Sequence, residues 1–93
     1  MTNQDIIALI GQEDLKKVLS YLVDQCNGEL EADIDKDYED DKDHMTLSVY
    51  SEYFSERHLN VLFQYTFYYA EVSFRPKKQK MLITLEVVVN KSL

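Results

Sequence analysis

The sequence predicts an α+β fold in which one N-terminal helix, or two, packs on one face of a four-stranded antiparallel sheet. Two patterns support this prediction. Apolar residues at helical spacing occupy residues 3–27, and apolar residues at every second position recur through most of the remaining chain. Helices followed by a run of strands are typical of an α+β layer. The chain has 93 residues, which is enough for a single domain, 1–93.

The helical segment is predicted to cover residues 3–27. Thr2 and Asp5 have the spacing of a capping box, with Asp in place of Glu, so a helix is expected to begin after Thr2. Gly11 either lies inside one helix or divides it into two, and Gly28 is expected at the C′ position that ends it. One face of the segment is apolar at i, i+3 and i+4 spacing: Leu15, Val18, Leu19, Leu22, Val23 and Cys26.

Four later segments alternate apolar and polar residues, as strands with one buried face do. The first begins at Glu29 and keeps the alternation through Asp35, and residues 38–44 are predicted to form a polar turn. The other strands are expected at about 45–53, 59–74 and 80–90. A short helix from Ser55 is the alternative for the approach to the third strand. Pro76 marks a turn between the last two strands, because proline is disfavoured inside a strand ladder.

Acidic residues occupy every odd-numbered position from Glu29 to Asp43. We call these eight residues the acidic row: Glu29, Glu31, Asp33, Asp35, Asp37, Glu39, Asp41 and Asp43. Asp40 adds a ninth acid, and only Lys36 and Lys42 oppose them, so the segment carries 2 − 9 = −7, which equals the net charge of the whole chain. Alternate residues of a strand lie about 6.8 Å apart, and phosphates repeat every 3.4 Å or so along a DNA strand. The acidic row can therefore stand in for a phosphate backbone.

This charge predicts a protein partner with a basic surface, of the kind that DNA-binding enzymes such as restriction endonucleases have. Direct binding to nucleic acid or to an anionic membrane is not expected, because both would be repelled. Three acids in the helical segment are secondary candidates for contact with the same partner: Glu13, Asp14 and Asp24. The second face of the aromatic third strand is a candidate homodimer contact, since tyrosine is favoured at interfaces.

No catalytic residue, cofactor or metal site is predicted. His44 and His58 are isolated in the sequence and are expected to be surface or turn residues. Asp33, Asp35 and Asp37 open like a calcium-binding EF-hand loop. The loop would need glycine at the position of Tyr38 and glutamate at that of His44, so an EF-hand is rejected. We expect a cytoplasmic protein, because a secretory signal pattern is not visible and the lone cysteine, Cys26, is compatible with a reducing compartment.

The size, the Thr2–Cys26 helical opening, the acidic segment 29–43 and the aromatic strands resemble the Arn-type DNA-mimic inhibitors of T-even bacteriophages. This resemblance implies anti-restriction activity: the protein would occupy the DNA-binding surface of a host restriction endonuclease of the McrBC type, which cuts DNA carrying modified cytosine, in the host cytoplasm. Two other classes remain open. One is an immunity protein or antitoxin that blocks a nuclease toxin. The other is an assembly protein whose basic turn, Arg75–Lys80, docks on the acidic row of a neighbour.

Overall fold

The computed structural model describes residues 1–35, 43–65, 70–75 and 79–89. Within these ranges the chain forms, in order, α1 (Asn3–Leu9), α2 (Glu13–Gln25), β1 (Glu29–Asp35), β2 (Asp43–Ser51), α3 (Glu56–Gln64), β3 (Ala70–Arg75) and β4 (Lys80–Val89). The fold is α+β, but the predicted arrangement is wrong, because a third helix, α3, occupies the first part of the segment expected to be the third strand. None of the helices in the described ranges is long and apolar enough to cross a membrane.

The predicted helical segment consists of two helices. α1 begins with the expected capping box, in which the Asp5 backbone N–H donates to Thr2 Oγ1 (3.1 Å) and the Thr2 N–H donates to Asp5 Oδ2 (2.9 Å). These hydrogen bonds with Thr2 lower the pKa of the Asp5 carboxyl below its ordinary value. α2 begins at Glu13, two residues after Gly11, and buries the apolar face that the sequence predicts: Leu15, Val18, Leu19 and Leu22.

α2 ends in a tight turn at Asn27 and Gly28. Asn27 holds the C′ position with a positive φ of 53°, so the left-handed residue is Asn27 and the assignment of C′ to Gly28 is wrong by one residue. The N–H of Gly28 donates to the carbonyl of Leu22 at 2.9 Å, which satisfies one of the last carbonyls of the helix. A Cβ on residue 28 would lie 2.7 Å from that same carbonyl oxygen. Glycine is therefore needed here for space, and the turn leads directly into β1.

The sheet is antiparallel throughout, in the order β1-β2-β4-β3, so that β1 and β3 are its edges. Directly opposed residues share a face, and the registers align Ala32 with Leu47 and Leu47 with Leu85. We call the face to which these residues belong the core face, because it joins α1 and α2 in one apolar cluster. Its fully or almost fully buried members are Leu30, Met45, Leu47, Val49, Ile83, Leu85 and Val87.

The predicted strand 59–74 is wrong in its first part. Ser55 caps a helix there, since its Oγ accepts from the His58 N–H (3.2 Å) while His58 Nδ1 accepts from the Ser55 N–H (3.3 Å). The helix buries Leu62 completely, a residue that the strand pattern had assigned to the polar set. Apolar residues at nearly every position of this segment fit both periods, so the cap decides in favour of the helix. The part of the predicted strand that forms is β3, 70–75.

The opposite face of the sheet, which we call the outer face, contains buried residues on the two central strands, β2 and β4. His44, Leu82 and Glu86 expose 0%, 5% and 6% of their surface. His44 Nδ1 lies 3.7 Å from Glu86 Oε1, so the two side chains face each other inside the protein. The expectation that His44 belongs to a polar turn is wrong. Asp43 and His44 are the first residues of β2, and residues 36–42 of the predicted turn lie outside the described ranges.

Candidate functional site

The acids of β1 lie along one edge of the outer face. Leu30, Ala32 and Ile34 belong to the core face, so the odd-numbered residues between them face away from the helices. Glu31 and Asp33 are exposed, and they are the best described members of the acidic row. Asp35 continues the strand and pairs with His44, but only its backbone is described. The sequence-based expectation of a half-buried strand through Asp35 agrees with this geometry.

The remaining members of the row are only partly described. Asp37, Glu39 and Asp41 lie within residues 36–42, outside the described ranges, as does the additional acid Asp40. The backbone of Asp43 begins β2 and pairs with Val89, so its assignment to a charged loop is wrong. The geometry of the row is therefore known at β1, where three described carboxylate side chains, Glu29, Glu31 and Asp33, lie on the same face.

Glu29 is tied into the fold by an ion pair. Lys80 Nζ donates to Glu29 Oε1 at 2.9 Å, across the intervening strand β2. The Lys80 side chain is only 8% exposed and the Glu29 side chain is 49% exposed. Lys80 had been predicted as part of a basic turn with Arg75. Instead it is a buried residue of β4 that neutralises one end of the acidic row within the same chain, while residues 76–78 lie outside the described ranges.

The acids of α2 are not brought next to the row. Glu13, Asp14 and Asp24 are exposed residues of a helix that packs on the core face, whereas Glu31 and Asp33 project from the outer face. The sheet therefore separates the two groups. Asp14 has a structural contact of its own, since the Tyr65 hydroxyl donates to both of its carboxylate oxygens at 2.8 and 2.9 Å. This hydrogen bond raises the pKa of Tyr65 above its ordinary value of 10.0.

A second surface, which sequence reasoning missed, is a groove of about 480 Å³ between α2 and the segment that contains α3. Tyr21 and Tyr53 expose 49% and 60% of their surface there, and the ring of Tyr21 lies 5.0 Å from that of His58. The groove depends on α3, which the sequence interpretation had replaced by a strand. Its lining residues are Asp14, Lys17, Val18, Tyr21, Tyr53, Ser55, Arg57, His58 and Val61.

Serine, histidine and aspartate line this groove together, which are the residue types of a catalytic triad. The described hydrogen bonds of these three side chains are structural. Ser55 and His58 bond to each other's backbone N–H as a helix cap, and Asp14 accepts from Tyr65. In the described part of the chain, no group of three His, Cys, Asp or Glu side chains could hold a metal ion. Cys26 is buried at the end of α2.

No protein-family model matches the chain, and no curated protein or solved structure is significantly similar to it. A function therefore has to be argued from the two surfaces just described, the exposed acids of β1 and the aromatic groove between α2 and α3. The first has the stronger electrostatic signature, because it belongs to the segment that holds the net charge of the whole chain.

Proposed function

We propose that the protein is a DNA-mimic inhibitor that occupies the DNA-binding surface of an enzyme through the acidic row. The target class that fits best is a restriction endonuclease of the McrBC type, so that the activity is anti-restriction. Glu31 and Asp33 make the central contacts, and Asp35 extends them along the strand. Asp37, Glu39, Asp40, Asp41 and Asp43 add to the negative charge of the same segment.

The observation that carries this proposal is the position of Glu31 and Asp33. Both are exposed on one face of a regular strand, so their carboxylates repeat at about the spacing of every second phosphate. The other face of the strand packs on core residues, so the spacing is set by the fold. A basic surface shaped for a phosphate backbone would meet two or more of these carboxylates at once.

Four of the expected contact residues change in the light of the structure. Glu29 is half exposed and paired with Lys80, so part of its charge is neutralised within the chain. Glu13 and Asp24 lie on the helical side of the sheet, so they are not part of the proposed contact surface. Asp14 is held by Tyr65 and is excluded for both reasons.

The test is competition between the protein and DNA for a McrBC-type endonuclease. The triple variant Glu31→Gln, Asp33→Asn, Asp35→Asn should lose most of its ability to displace DNA, and wild-type binding should weaken steeply as salt is raised. The matched control is Glu13→Gln with Asp24→Asn, which removes charge from the other side of the sheet and should compete like the wild type. Equal competition by the triple variant and the wild type would refute the proposal.

An immunity protein or antitoxin remains the second candidate, and the aromatic groove favours it. Such inhibitors depend on a few central anchors, and Tyr21 and Tyr53 are large, exposed and adjacent to the charged residues Lys17 and Arg57. Alanine substitution separates the two functions. One or two dominant losses at Tyr21 or Tyr53 would indicate the toxin-blocking function, whereas a loss spread over the acids of β1 would indicate the DNA mimic.

A further inference from the structure

The free edge of β1 has backbone groups that can pair with another strand. β1 is the first strand in the sheet order, and among the described strands it pairs with β2 alone. The N–H of Leu30 donates to Asn3 Oδ1 at 3.0 Å, so it points away from β2. Backbone groups alternate in direction along a strand, and the N–H and C=O groups of Ala32 and Ile34 therefore point outward as well.

Asn3 closes only the beginning of this edge. Among the described residues it is the one whose side chain bonds to the outward groups of β1, and its single contact is at Leu30. Ala32 and Ile34 are half-buried on the core face, and both pack against the apolar cluster. From Ala32 onward the edge thus has outward backbone donors and acceptors, and its apolar side chains are only partly buried.

A second copy of the chain does not fit this edge. Two β1 strands paired antiparallel would bring the carboxylates of one copy against those of the other, and like charges on opposed residues destabilise a strand pair. Charged side chains on edge strands are a common way to prevent such self-association. The same charges favour a strand that carries positive residues at alternate positions.

We propose that the target of the inhibitor supplies a short strand that pairs antiparallel with β1, with Lys or Arg at alternate positions. This inference rests on the proposed function and adds to it the way in which the acids are recognised. The basic residues would lie opposite Glu31 and Asp33 in non-hydrogen-bonded pairs, where the Cα atoms are only about 4.5 Å apart. The residues between them would lie opposite Ala32 and Ile34 and extend the apolar face, so they should be apolar.

Peptides test this geometry directly on the intact protein. A capped peptide of alternating lysine and valine should bind about tenfold or more tightly than a peptide of the same composition with lysines and valines in separate blocks. On binding, hydrogen exchange should slow at the amides of Ala32 and Ile34. The amides of Glu31 and Asp33 should change little, because they already face β2. Equal affinity for the two peptides, or no alternation in protection, would overturn the inference.

N-methylation of the peptide gives the matched control. In the proposed pairing the valine N–H groups donate to β1 and the lysine N–H groups point away. Methylation at valine nitrogens should therefore abolish binding, whereas methylation at lysine nitrogens should leave most of it. If both peptides bind equally well, the contact is one of side-chain charge alone and strand pairing is refuted.

Ala32→Pro removes one outward N–H without any change in charge, and proline is tolerated at the free edge of a sheet. Ala32→Val keeps the N–H and serves as its control. If the proline variant fails to displace DNA from the endonuclease while Ala32→Val competes normally, strand pairing is supported. If the proline variant competes normally but the triple acid variant does not, the DNA-mimic function stands and strand pairing fails. If both compete normally, both proposals fail. Should Ala32→Pro not fold, the methylated peptides decide.

Discussion

Replacing Glu29 by Gln should destabilise the fold, whereas replacing Asp33 by Asn should leave its stability almost unchanged. The two acids belong to the same face of β1 and are four residues apart along the strand. They differ in their surroundings, because Glu29 accepts from Lys80 Nζ at 2.9 Å and Asp33 is exposed. Lys80 is almost completely buried, so the loss of the opposing carboxylate leaves a cation with little access to water.

The expected size of this effect follows from distance and exposure. Two unit charges 2.9 Å apart attract by about 6 kcal/mol at an effective dielectric constant of about 20. The Glu29 side chain is 49% exposed, so water screens much of this attraction, and the glutamine oxygen can still accept from Lys80. We therefore expect the free energy of unfolding to fall by about 1–2 kcal/mol, below the roughly 3–5 kcal/mol seen when a fully buried pair is broken. Asp33→Asn should stay within about 0.5 kcal/mol of the wild type.

Denaturant unfolding of the wild type, both single variants, Lys80→Met and the double variant Glu29→Gln/Lys80→Met measures these values. The double-mutant cycle should give a favourable coupling of about 1 kcal/mol between Glu29 and Lys80. Thermal midpoints provide a second readout, at about 4–8 °C per kcal/mol for a domain of this size. The reasoning is refuted if Glu29→Gln and Asp33→Asn are equally stable, or if the cycle gives no coupling.

Three further predictions concern the helices. Gly28→Ala should destabilise the protein by about 1–3 kcal/mol, because its Cβ would lie 2.7 Å from a backbone oxygen. Asn27→Gly should stabilise the protein slightly, because glycine adopts the positive φ of this position without strain. Chemical unfolding measures whether each variant raises or lowers the free energy of unfolding. Tyr65 should titrate above pH 10.0, because its hydroxyl donates to Asp14. This hydrogen bond should stabilise the fold below pH 10.0 and be lost as the pH rises through the raised pKa of Tyr65. Ultraviolet titration of the wild type against Tyr65→Phe checks the direction of the shift. Leu62→Ala should lower the free energy of unfolding by about 2–5 kcal/mol, more than Phe63→Ala, whose side chain is partly exposed; equal losses would contradict the helix.

The parts of the fold that could be predicted are those in which apolar residues recur with a single period, either that of a helix or that of a strand. α2 has apolar residues from Leu15 to Leu22 at helical spacing and polar residues elsewhere, and the structure buries that face. β1 and β2 alternate apolar and polar residues, and β4 has an apolar residue at every odd-numbered position, so the positions of these strands were predicted to within about two residues. In these segments the spacing of apolar residues along the chain is enough to predict which side chains are buried.

α3 could not be assigned with the same certainty, because its apolar residues satisfy two periods. Leu59, Val61 and Phe63 alternate as in a strand, but Leu59 and Leu62 also share a helical face, and burial of Leu62 follows the helix. The stronger local signal was Ser55, which caps the helix through His58. The short helix from Ser55, given above as the alternative to a strand, is the element that forms, and the groove depends on it.

The polar contacts of the sheet were beyond prediction for a different reason. Glu29 and Lys80 are 51 residues apart, and their contact depends on the register of three strands. The pairing of His44 with Glu86 depends on the same registers. Charge counts identify an acidic segment, but only the register distinguishes an acid with an internal partner from an exposed one.

Because the acids of the row with described side chains lie on an edge strand, both their carboxylates and the backbone of that strand can contact a partner. On a central strand the acids would face solvent or partner through their side chains only, since the backbone would already be paired on both sides. At the edge, the carboxylates of Glu31 and Asp33 flank outward N–H and C=O groups at Ala32 and Ile34. Their repulsion opposes pairing with another copy of β1, and their attraction favours a basic strand. The same side chains can therefore prevent pairing with a second copy of β1 and favour a basic partner strand. Ala32→Pro separates the contribution of the backbone from that of the charges, because it alters the backbone and leaves every charge in place.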